Sequence, residues 1–181
     1  YYNHRQVTDS GAQGEQLLAA YDKMGNPAAA ARPLDDLAAS RFAGYRAVAK
    51  LNQANLLLQK NDLKGAAAKF GEVAGDSSVA EPMRDFALVR QTSIEFDSLK
   101  PQTIVDRLRP LSAKGNPWFG SAGEMVAAAY LQMNRRDLAA TLYGQIAADD
   151  NAPASIRQRA GQMAAMLSVG AAAPSPEKKA S

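Results

Sequence analysis

The chain has 181 residues, with 21 Lys and Arg against 18 Asp and Glu, a net charge of +3, one His and no Cys. That length suffices for one domain with a sizeable core or for a short solenoid, and the absence of Cys excludes disulfides, thiolate chemistry and Cys-ligated metals. The basic residues fall in isolated pairs (Arg107/Arg109, Arg135/Arg136, Arg157/Arg159) and not in the clustered stripe of a nucleic-acid binder.

The chain opens Tyr1-Tyr2-Asn3-His4-Arg5 without an initiator Met, so a preceding segment is expected. Paired Tyr residues suit the exit of a membrane-spanning helix; an arbitrary boundary explains the same residues. No run of 18 apolar residues occurs, so nothing within the chain is expected to span a bilayer. Residues 1–8 read as a flexible start. Asp9 or Ser10 can cap a helix to about Met24, and Gly25-Asn26-Pro27 turns into a second helix, to about Ala43, that contains Pro33. A periodic helix follows from Tyr45 to Gln59, with a turn at Lys60-Asn61 and a return helix from Asp62 to Ala74. Glu81-Pro82 opens a long helix to about Leu99, and Pro101 starts a short one limited by Pro110. Trp118 to Met133, Asp137 to Ala148 and Pro153 to Val169 complete nine helices, and residues 170–181 read as a disordered tail.

The sequence repeats at a register of 73 residues. Tyr45–Ala87 laid without a gap over Trp118–Ala160 gives twelve identities, among them Ala54/Ala127, Asn61/Asn134, Ala66/Ala139, Gly71/Gly144, Asp76/Asp149, Arg84/Arg157 and Ala87/Ala160. Half of 73 is close to the roughly 34-residue period of tetratricopeptide arrays. Alanines on facing helices let their axes approach, and Phe70 or Tyr143 fills the wedge beside them. The expected fold is all-α: a tetratricopeptide-like right-handed solenoid of about four helix–turn–helix pairs over residues 9–169, with a C-terminal capping helix. The middle pair, Met83 to Leu111, is expected to be a degenerate repeat, because Thr92, Ile104 and Leu108 stand where Ala, Ala and an aromatic would be.

Leu108-Arg109-Pro110-Leu111, Gly115-Asn116-Pro117-Trp118 and Ser121-Ala122-Gly123-Glu124 resemble the tetratricopeptide-like domain of YfgM-type bacterial inner-membrane proteins, over roughly Asp9 to Val169. The Gly-Asn-Pro-Trp loop is the most specific part. The resemblance implies one N-terminal membrane helix preceding this chain, a periplasmic repeat domain, and an ancillary role beside the Sec translocon and periplasmic chaperones. It transfers no catalytic residues.

The residues themselves assemble no reaction. His4 lacks the partners of a metal site or a triad. Asp35-Asp36 and Asp149-Asp150 are sequence neighbours, which point apart on a helix and read as surface charges. Gly11-Ala12-Gln13-Gly14 imitates a phosphate loop but follows no strand. No metal, cofactor, nucleic acid or small-molecule substrate is expected. The candidate site is instead the inner wall of the solenoid, carrying Leu51, Asn55 and Leu58, then Phe86, Val89, Ser93 and Phe96, then Glu124 and Leu131. Phe86, Val89 and Phe96 are expected to form one stripe on a single helix. An apolar wall suits an amphipathic or unfolded segment, although the same residues also suit packing between repeats. Trp118 reads first as a core aromatic, with a partner anchor as the alternative. The expected function is a non-catalytic protein-binding module in the bacterial envelope, on the outer face of the inner membrane, with translocon subunits, chaperones or exported clients as partners. The alternative is an assembly subunit that self-associates or bridges envelope complexes.

Overall fold

The structure, a computed structural model, describes the backbone of residues 2–171 and, Pro27 apart, the side chains of residues 9–168. The tail expected after Gly170 lies outside the described residues from residue 172 onward. The described residues form nine α-helices and no strand. They divide into two compact units, Tyr1–Glu95 and Phe96–Ser181.

In the first unit, α1 (Tyr2–Asp22) begins at Tyr2 and not at Asp9 or Ser10. Gly11-Ala12-Gln13-Gly14 therefore lies inside a helix. Gly14 serves a close approach there, since a Cβ would stand 3.2 Å from Tyr45 Oη. Ser40 Oγ donates to Gln13 Oε1, and Arg41 pairs with Asp9 at 2.5 Å, tying α1 to the loop before α3. α2 (Pro27–Ala38) is capped by Asn26, whose side chain accepts from Ala29 N–H, and Pro33 sits within it. It ends earlier than the predicted Ala43.

α3 (Ala43–Gln59), α4 (Leu63–Ala74) and α5 (Glu81–Glu95) pack in sequence order. One core joins Ala20, Leu34, Leu37, Ala49 and Leu56; the next joins Ala47, Ala54, Phe70, Val73, Val79 and Ala87. Thr92 is fully buried at the position of a small residue, and its hydroxyl donates to the Leu88 carbonyl one turn back at 2.8 Å.

The expected middle repeat, Met83 to Leu111, is not one unit, because the division after Glu95 falls inside it. α5 packs on α4, and α6 (Pro101–Leu108) packs on α7 (Phe119–Gln132). In the second unit α8 (Arg136–Ala147) and α9 (Ala154–Ala171) follow, around a core of Phe119, Ala127, Ala139, Tyr143, Ile146, Ile156 and Ala160.

Each copy of the 73-residue repeat lies whole within one unit, and the two turns share the same pair of backbone hydrogen bonds. Asn61 N–H donates to the Leu58 carbonyl (2.9 Å) and Asp62 N–H to Leu57 (2.9 Å); Asn134 donates to Leu131 (2.9 Å) and Arg135 to Tyr130 (2.8 Å). This double bond set is the Schellman closure of a helix C-terminus. Ala54, Ala66, Ala127 and Ala139 are all fully buried, as the helix-crossing argument requires.

Candidate interaction site

The nine residues predicted to line a wall fall into both units. In the first, Leu51, Leu58 and Phe86 are half-buried and pack on the Ala54–Phe70 core, while Asn55 and Ser93 are exposed. The Phe86 ring meets Phe70 edge-on at 6.2 Å. Val89 is a buried core residue. The single-helix stripe needs correction: α5 ends at Glu95, so Phe96 lies past its end and belongs to the second unit. None of the stripe is strongly exposed; among the described residues the large apolar side chains that are comprise Leu18, Tyr21, Leu63 and Met166.

In the second unit, Leu131 packs half-buried against its core. Glu124 is bound twice by Arg159, from Nε at 3.2 Å and Nη2 at 2.8 Å. Glu124 occupies the register of Leu51, and Arg159 that of Phe86. The same two positions therefore hold apolar side chains packed on one core in the first copy and an ion pair in the second. Glu124 raises Arg159 above the ordinary arginine value through that hydrogen bond. Burial, with Glu124 adding to it, raises the Tyr143 phenol.

The turn after the second helix of each copy carries a second constellation, of which sequence reading covered only Asp149, as a surface charge. In the first copy, Asp76 Oδ1 accepts from Ser78 N–H (3.0 Å) and from Ser78 Oγ. Asp76 Oδ2 accepts from Arg46 Nε (3.0 Å) and Nη2 (2.8 Å). The Ser78 hydroxyl first, then Arg46, lower the Asp76 carboxyl to about 2. In the second copy, Asp149 Oδ1 accepts from Asn151 N–H at 3.1 Å, and Asp149 is only 7% exposed. The signal was present in the repeat: Asp76 and Asp149 are identical, yet Arg46 aligns with Phe119.

The Trp118 side chain is half-buried, and the Trp118 backbone N–H donates to Asn116 Oδ1 at 2.8 Å, which folds the Gly-Asn-Pro-Trp loop back on itself. Among the described residues no group of three His, Cys, Asp or Glu stands together, and no described helix is long and apolar enough to cross a membrane. The comparisons return no match: no family model, no curated protein and no solved structure is significantly similar to the chain.

Proposed function

We propose that this chain is a non-catalytic protein-interaction module built from tetratricopeptide-like helix pairs. The observation that carries the reading is the twice-built unit, two helix pairs with matching Schellman turns and alanine crossings. Stacked helical repeats of this kind present surfaces to protein partners. What differs between the copies is side-chain chemistry at matched positions, Leu51 and Phe86 against Glu124 and Arg159. A scaffold held constant while its face varies is what recognition of different partner segments requires.

The resemblance to YfgM-type proteins extends the proposal to the periplasmic face of a bacterial inner membrane, beside the Sec translocon and chaperones of exported proteins. The first copy would take the apolar part of a partner, the second its charged part. The test uses exposed positions, so that the fold is spared: Asn55→Glu and Ser93→Glu in the full-length protein. Both changes together are expected to reduce co-purification of translocon and chaperone proteins from cross-linked membranes, with an unchanged melting temperature. Undiminished co-purification with those proteins would overturn the assignment of this face. A parent chain that sediments as a stable oligomer, losing it on the same changes, would replace client binding by self-assembly.

A further inference from the structure

In the first copy the turn at Asp76 is completed by an arginine of the same chain. Arg46 directs Nε and Nη2 at Asp76 Oδ2, Nη1 at the Ser40 carbonyl (2.7 Å) and Nη2 at Ser78 Oγ (2.7 Å). In the second copy the aspartate is kept and the arginine is gone. Phe119 stands in its register and is 1% exposed, turned into the core with Tyr143 and Ile156. The helix start has moved as well. α3 begins at Ala43, whose register partner is Asn116, but α7 begins only at Phe119. The first turn of α3 is thus replaced by the loop Gly115-Asn116-Pro117-Trp118.

That replacement opens a cavity of about 440 Å³, lined by Gly115, Asn116, Pro117, Gly120, Asp149 and Asn151. Its charged wall is Asp149, more than nine-tenths buried. Both hydrogen bonds to the carboxylate, from Asn151 N–H and Nδ2 (3.3 Å), end on Oδ1. Among the described residues, no donor reaches Oδ2 and no Lys or Arg pairs with Asp149. Asp149 Oδ2 is reached by solvent through the cavity, and Arg157 beside the same turn spends Nη1 on the Asp150 and Ala152 carbonyls and not on this carboxylate. The first copy displays the cationic group that pairs with the matching aspartate.

We infer that this cavity receives the guanidinium of an arginine side chain from a polypeptide partner. The chemistry selects that head group. A divalent cation wants six or more oxygens, and the cavity supplies one carboxylate with asparagine amides beside it. An ammonium is a compact point charge, whereas a planar guanidinium brings the fork of donors that Arg46 uses in the first copy. The inference rests on the reading of the chain as a protein-binding module, and adds that one partner residue is an arginine seated in the second copy.

The test needs no partner protein, so its failure and the failure of the co-purification experiment are separate results. The ¹⁵N-labelled chain is titrated with N-acetyl-arginine N-methylamide, with the citrulline and lysine analogues, and with free arginine. Saturable shifts at the amides of Asn116, Gly120 and Asn151 are expected, with affinity for the citrulline analogue weaker by roughly tenfold or more, the scale of one charge-assisted hydrogen bond. Asp149→Asn, which keeps an oxygen for Asn151, should remove the response. Should that variant fail to fold, the arginine–citrulline comparison on the parent chain decides. An equal response to citrulline, or shifts that avoid the cavity, would overturn the site. Tighter binding of free arginine than of the capped form would overturn the polypeptide source.

Discussion

Asn61 and Asn134, 73 residues apart, hold the same left-handed backbone, with φ of 58° and 59°. Each closes the first helix of its copy and aims the chain into the second. A Cβ in that conformation presses on the following carbonyl, and asparagine tolerates it better than other side-chain-bearing residues. Replacing either Asn by Ala is expected to cost about 1 kcal/mol, and replacing it by Gly to leave stability level or slightly raised. Denaturant titrations of the four variants check this; equal stability of the Ala and Gly forms would contradict the turn geometry.

The alanine crossings give the second prediction. Ala54 and Ala127 are fully buried, so Ala54→Leu and Ala127→Leu should each overpack a core by about 1–3 kcal/mol. Gly144 is the contrast, since a Cβ there would meet nothing within 4 Å in the middle of α8. Gly144→Ala should raise stability by about 0.5–1 kcal/mol. Thermal melts distinguish the two directions.

The third prediction is a pH dependence. Asp76 ionises near 2 in the folded chain, below its ordinary value of 3.8. A lowered carboxylate stabilises the fold above the unfolded value and loses that contribution as pH falls towards the folded one. Asp76→Asn should therefore be less stable than the parent at neutral pH, with the gap closing between about pH 4 and pH 2. A gap that stays constant down to pH 2 would mean that the carboxylate charge is not what the turn uses.

Phe86 supplies the fourth. Its ring packs on Phe70 while staying half-buried. Phe86→Ser should lower stability by about 1–3 kcal/mol, short of the 3–5 of a fully buried ring. Ser93→Glu, at an exposed site on the same helix, should be near neutral. A melt insensitive to Phe86→Ser would return that ring to the surface.

Much of this was legible in the sequence, for local reasons. The repeat, the Asn turns and the small residues at the crossings follow from side-chain size and backbone preference, which act over a few residues. The start of α1 was not legible, because Gly11 and Gly14 weaken a helix that tertiary contact with Tyr45 supports. The end of α5 was missed because nothing in Phe96-Asp97-Ser98 forbids a further helical turn. The cavity at Asp149 was written in the alignment but needed two facts together: an aspartate retained and its arginine exchanged for Phe119. Only the later start of α7 shows that the exchange leaves space and not a filled core.

Every helix of the first copy packs against an immediate neighbour in the chain. Contacts that close over short sequence separations form early, because little loop entropy opposes them. All parts of that copy, its Asn turn, its alanine crossing and the Arg46–Asp76 latch, precede Ala87. During synthesis at roughly 5–20 residues per second, the first copy has seconds to fold before Ala160 completes the second, so the apolar faces of two like sequences need not be unprotected at once.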